Sequence, residues 1–127
     1  MAFEKSGESR NIEPENDAGF TVNNLTDAAM SNDIDLALTC LLSGVNPNDR
    51  DMYDNTALSV AVMYENFAIV RLLLAFHADP NITDRYGNYP IQYSITAPNA
   101  EIFQLLILHG SIIPIIEQIN EELNRLN

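Results

Sequence analysis

Few side chains in this chain of 127 residues are of the types that make or break bonds. The reactive candidates are one cysteine, Cys40, and two histidines, His77 and His109. A Cys–His pair would make a thiolate nucleophile, and all three together would make part of a zinc site. Carboxylates are plentiful, with 18 Asp and Glu, and a close pair of them would serve as general acid and base. The five glycines are dispersed, so no Gly-rich loop is present to cradle a phosphate. Which of these chemistries is open depends on the elements that carry the residues, and those elements repeat.

Self-similarity appears at a period of 33 residues, the step from Leu58 to Ile91. Thr56-Ala57-Leu58-Ser59-Val60-Ala61 lies over Tyr89-Pro90-Ile91-Gln92-Tyr93-Ser94, with the apolar and the small residue in register. One period earlier, Leu25 and Ala28 hold the same two places. A second block keeps the same register: Val70, Leu73 and Leu74 lie over Phe103, Leu106 and Ile107, and Ala37, Cys40 and Leu41 precede them. Gly44-Val45-Asn46-Pro47-Asn48 aligns in turn with His77-Ala78-Asp79-Pro80-Asn81.

Within one unit, the polar run from Asp51 to Asn55 suits a tight finger, and Thr56 can cap a helix beginning at Ala57. Leu58, Ala61 and Val62 then fall at helical spacing on one face. Glu65-Asn66 breaks that helix, and a second one follows with Phe67, Val70, Leu73 and Leu74 inward and Arg71 outward. Pro80 stops the second helix, and Pro90 takes a first-turn position where its missing N–H costs nothing. A single helix pair is too thin to bury its apolar face, so neighbouring pairs must stack.

These two blocks resemble the ankyrin repeat, whose pattern runs Asp-x-x-Gly-x-Thr-Pro-Leu-His-x-Ala, Val-x-x-Leu-Leu and Gly-Ala-Asp-x-Asn. One unit supplies Asp51, Thr56, Leu58, Ala61, Val70, Leu73, Leu74, Ala78, Asp79 and Asn81; the next supplies Asp84, Gly87, Pro90, Ile91, Leu106 and Gly110. The resemblance implies an all-α solenoid of stacked helix pairs with short β-hairpin or loop fingers. Its units run over about 18–50, 51–83 and 84–114, within a domain of 18–114. The first unit lacks the Asp, Gly and Pro of its finger, as an end repeat with a polar outer face would, and Asp33 and Asp35 suit that role. Asp54 and His77 stand where the pattern has glycine, so both are expected at positive φ with some strain.

In this register the reactive candidates separate. His77 and His109 close the second helices of successive units, and Cys40 occupies a Leu position in a core. No catalytic, metal-binding or cofactor-binding residues are therefore expected, and the carboxylates fall on fingers, loops and ends as solvated charge. The chain is expected to be no enzyme but a protein-binding module, an adaptor or inhibitor. By the family pattern its variable positions are Met52, Tyr53, Asn55, Arg85, Tyr86 and Asn88 on the fingers. On the first helices they are Met30 and Ser31, Met63 and Tyr64, and Thr96 and Ala97. Met52, Tyr53, Asn55, Met63, Tyr64, Arg85, Tyr86 and Asn88 form the expected partner surface, since Tyr, Met and Arg are favoured in interfaces and repeat packing does not demand them here. The alternative for Tyr53 and Tyr86 is that they pack finger on finger, one period apart.

The ends differ from the middle. Residues 1–17 are acidic and poor in apolar side chains, as a disordered tail would be. After Pro114, Ile115, Ile116, Ile119, Leu123 and Leu126 recur at helical spacing, which predicts an amphipathic helix over 115–127 capping the last unit. The competing role for this helix is assembly, making the chain a structural subunit; a monomer is the expectation over a homo-oligomer. A net charge of −12 disfavours nucleic acid and anionic membranes and mildly favours a basic partner surface. No signal-like apolar stretch opens the chain, and a lone cysteine cannot staple it, which points to an intracellular place, cytoplasmic or nuclear.

Overall fold

Three helix pairs stacked side by side account for most of the computed structural model, which describes residues 19–111 and 114–126, with backbone alone for 114–119. The pairs are α1 (Val22–Ser31) with α2 (Ile34–Leu42), α3 (Ala57–Met63) with α4 (Phe67–Ala75), and α5 (Pro90–Thr96) with α6 (Ala100–Leu108). A seventh helix, α7 (Pro114–Leu126), follows. No strand occurs among the described residues, so the fingers are closed loops rather than β-hairpins. The acidic segment 1–17 lies outside the described residues.

Helices α1, α2, α3, α5 and α6 start where a side chain can bond the amides of the first turn or of the cap residue. Thr56 Oγ1 accepts from Ser59 N at 3.2 Å, Asp33 Oδ1 from Leu36 N at 3.1 Å, and Asn99 Oδ1 from Ile102 N at 3.1 Å. At α1 and α5 the cap works in reverse: Asn24 Oδ1 accepts from Thr21 N at 2.8 Å and Gln92 Oε1 from Tyr89 N at 2.7 Å. Pro90 is the first residue of α5, as its fixed φ allows. The second helices end in left-handed residues, Gly44 at φ 97°, His77 at 68° and Gly110 at 89°.

Stacking makes two layers. Helices α1, α3 and α5 pack in one, and α2, α4 and α6 in the other. The middle pair shows what this achieves: Ala57 through Val62 are all buried, and so are Ile69, Val70, Leu73 and Leu74. Phe67 is half-buried against this core, and exposed Arg71 places its guanidinium 5.9 Å from the centre of that ring. Cys40 and Leu106 fill the same core position as Leu73 in the flanking pairs. Polar side chains tie neighbours together: Asn66 Nδ2 donates to Ala29 O at 2.6 Å, and Asn81 Nδ2 to Gly110 O at 3.0 Å.

Candidate functional site

The loops before α3 and α5 are built alike, because one aspartate organises each. Asp51 N donates to Asn55 O at 2.9 Å, while its Oδ1 accepts from Tyr53 N at 2.9 Å and Asn55 N at 3.0 Å. In the next loop Asp84 repeats all three bonds with Asn88 O, Tyr86 N and Asn88 N, at 2.9, 2.9 and 3.0 Å. Both fingers need a left-handed residue at their fourth position. Gly87 supplies it at φ 80°, and Asp54 does so at 67° while its carboxylate sits 3.7 Å from Arg50 Nε. The first finger is also tied to the preceding unit, since Met52 N donates to Asn23 Oδ1 at 2.9 Å.

This closure aims the side chains between the aspartate and the asparagine outward. Tyr53 is 60% and Tyr86 74% exposed, so neither ring is packed away against the other finger. Met52 and Arg85 are exposed beside them, the Arg85 guanidinium 5.8 Å from the centre of the Tyr86 ring. Tyr64, capping the C-terminus of α3, is exposed as well. The other three expected residues are placed differently. Asn55 and Asn88 are half-buried and close their fingers, and Met63 is half-buried against the core. The outward row is therefore Met52, Tyr53, Tyr64, Arg85 and Tyr86.

One residue outside the expected set holds the second finger in place. The Tyr93 hydroxyl on α5 donates to Asp84 Oδ2 and accepts from Asn88 Nδ2 at 3.3 Å, anchoring the second finger to its own helix. Burial raises the Asp84 pKa, but hydrogen bonds from Tyr93 and the amides of Asn88 and Tyr86, with the charge of Arg50, bring it below the ordinary value. The Tyr93 hydroxyl moves upward, through burial and through its bond to that carboxylate. The repeat gave no signal for it: Asp27 and Val60 hold this position in the other units, so the register does not mark it as a finger anchor.

The chemistry open to a bond-making site is sparse among the described residues. No group of three or more His, Cys, Asp or Glu is placed to hold a metal ion. Cys40 is fully buried, and desolvation pushes its thiol pKa up, away from the thiolate form. A shallow depression at Ser31–Asp35 lies on the α1–α2 turn, where the Asp33 carboxylate already caps α2. The family model for ankyrin repeats matches residues 25–116, in three copies. No curated protein matches the chain.

Proposed function

Because the chain belongs to the ankyrin-repeat family, whose repeats are generally protein–protein interaction modules and typically non-catalytic, we propose that it acts as an adaptor or inhibitor that covers a surface of another protein. The contact row is Met52, Tyr53, Tyr64, Arg85 and Tyr86, with Asn55, Met63 and Asn88 supporting it from beneath. The observation that carries this reading is the exposure of Tyr53 and Tyr86 at equivalent fingertips. Large amphipathic rings in water are costly to leave uncovered and have no packing role there, whereas in interfaces they are frequent anchors. The net charge of −12, with exposed Asp49 and Asp54 beside the first finger, suits a partner with a basic surface. No described helix is long and apolar enough to cross a membrane. The single, buried cysteine fits an intracellular, reducing setting, cytoplasmic or nuclear.

The test begins with affinity capture from the source cell and identification of what binds. Affinity for that partner is then compared between wild type and the double variant Tyr53→Ala/Tyr86→Ala. Loss of at least one hot-spot contact, about 2 kcal/mol, corresponds to roughly 30-fold weaker binding. The helical circular dichroism should be unchanged, since neither ring is buried. Full affinity in a folded double variant would place the contact surface elsewhere. A second reading, assembly through the C-terminal helix, draws on Leu123 and Leu126, both exposed on α7.

A further inference from the structure

The 33-residue register also sets the outward positions of the second helices side by side. Three of them lie at i, i+4 and i+8, one above another along the helix. In the middle unit they are Phe67, Arg71 and Ala75, and in the third Ala100, Gln104 and Leu108. The middle unit has a neighbour on both sides, yet Arg71 and Ala75 are exposed there, so these positions point out of the stack. Polar or small residues suit that place, and the half-buried Phe67 has the Arg71 guanidinium 5.9 Å from its ring centre. The first unit breaks the pattern with Ile34, Leu38 and Leu42, exposed by 43, 37 and 70%. Leucine stands at 38 where the other units have arginine and glutamine.

These three side chains form a stripe along α2, about 12 Å long at about 1.5 Å per residue. Ala37, Cys40 and Leu41 take the buried side of the same helix. Asp35 precedes Leu38 by three residues and Leu42 by seven, so its carboxylate runs along the solvent flank of the stripe. The shallow depression at Ser31–Asp35 opens at the first residue of the stripe, Ile34. From residue 19 to 49 the charged side chains are Asp27, Asp33, Asp35 and Asp49, all exposed, with no Lys or Arg among them.

Charge selects the occupant. An apolar stripe bordered only by carboxylates complements an amphipathic helix whose apolar side is flanked by Lys and Arg. A second copy does not fit, because it would bring two such acidic units together with no Lys or Arg at 19–49 of either to pair them. The chain's own N-terminal segment is a poor match for the same reason, since residues 1–17 carry five carboxylates against Lys5 and Arg10. We infer that α2 docks a basic amphipathic helix of another protein, Ile34, Leu38 and Leu42 receiving its apolar side and Asp33 and Asp35 its cations. This surface is separate from Met52, Tyr53, Tyr64, Arg85 and Tyr86, which the fingers and the other helix layer present. Binding at one surface leaves the other free.

The probe is a labelled synthetic peptide of about 14 residues, leucines at helical spacing and lysines elsewhere, long enough to outreach the stripe. Fluorescence anisotropy against the full chain at about 0.15 M salt reads its affinity. Binding should appear below about 1 mM, and a peptide of the same composition with its leucines out of register should bind at least about tenfold more weakly. Leu42→Gln, at a site too exposed to govern folding, should weaken binding at least about tenfold with unchanged helical circular dichroism. Asp35→Asn should weaken it about two- to fivefold and leave less dependence on salt. Leu108→Gln, the same position in the third unit, and Tyr53→Ala/Tyr86→Ala should bind like wild type. No binding at about 1 mM would overturn the proposal, and equal binding of the out-of-register peptide would overturn it by reducing the contact to bulk charge. Binding undisturbed by Leu42→Gln would place the docking surface elsewhere. Tighter binding in Phe3→Ala/Ile12→Ala would overturn the proposal by assigning the stripe to the chain's own N-terminal segment. A dimer of the chain alone that Leu42→Gln dissolves would overturn it in favour of a second copy.

Discussion

His77 stands at φ 68° in the place that Gly44 and Gly110 fill in the flanking units. A side chain in the left-handed region costs about 1–2 kcal/mol, and glycine's extra freedom in the unfolded chain costs back about 0.5–1 kcal/mol. The balance favours glycine, because His77 is exposed and buries little of its own. His77→Gly should therefore raise stability by about 0.5–1 kcal/mol in urea unfolding, and a loss would mean the imidazole makes a contact worth more than the strain. The same swap at Asp54 should be close to neutral, since Asp tolerates this region and Asp54 also faces Arg50. Both departures were legible in the sequence, because the period sets each residue beside the glycine it replaces. The neighbours Asn32 and Glu65, each at φ 58°, were not legible, since no glycine marks their position in any unit.

Among the elements, the helices were readable and their anchors were not. Thr56, Pro90 and the apolar spacing mark where α3 and α5 begin, because capping and burial are local or periodic. Asn66 reads as a helix breaker, yet its amide spans the unit boundary to Ala29 O, a contact that depends on the stacking distance. Tyr93 is of the same kind: its position reads as core, and only the folded geometry turns its hydroxyl toward Asp84. The bond carries a prediction in pH. Since the folded pKa of Asp84 lies below the ordinary value, its contribution is present above that value and is lost as pH falls through the folded one. Tyr93→Phe should cost about 1–3 kcal/mol at neutral pH, as for a hydrogen bond to a charged group. The difference from wild type should shrink once pH drops below about 3.9, the ordinary aspartate value. Urea unfolding at both pH values measures it, and a pH-independent difference would mean that the carboxylate is not what the hydroxyl stabilises.

For the molecule as a whole, the period was enough to specify three stacked pairs, because each unit can bury its apolar stripe only on a neighbour. The condition of the two ends was half visible. Polar substitutions at the first unit can be read directly, whereas the exposure of Ile95 and Ile107, at positions buried in the other two units, appears only when burial is compared across units. In such a linear array, stability is distributed along the chain, and a terminal unit has one stabilising neighbour where the middle unit has two. The first unit also holds the chain's one thiol, sealed at a core position by α2 and its neighbours. Cys40 is thus a clock for the fraying of that end: a thiol reagent can reach it only when the first unit opens, whatever the other two are doing. Against the unfolded chain, its modification at mildly alkaline pH should be at least about 100-fold slower, the factor set by an opening free energy of about 2.8 kcal/mol. Modification that outpaces global unfolding would show the array melting from its N-terminal end, one layer at a time; equal rates would show three units that open only together.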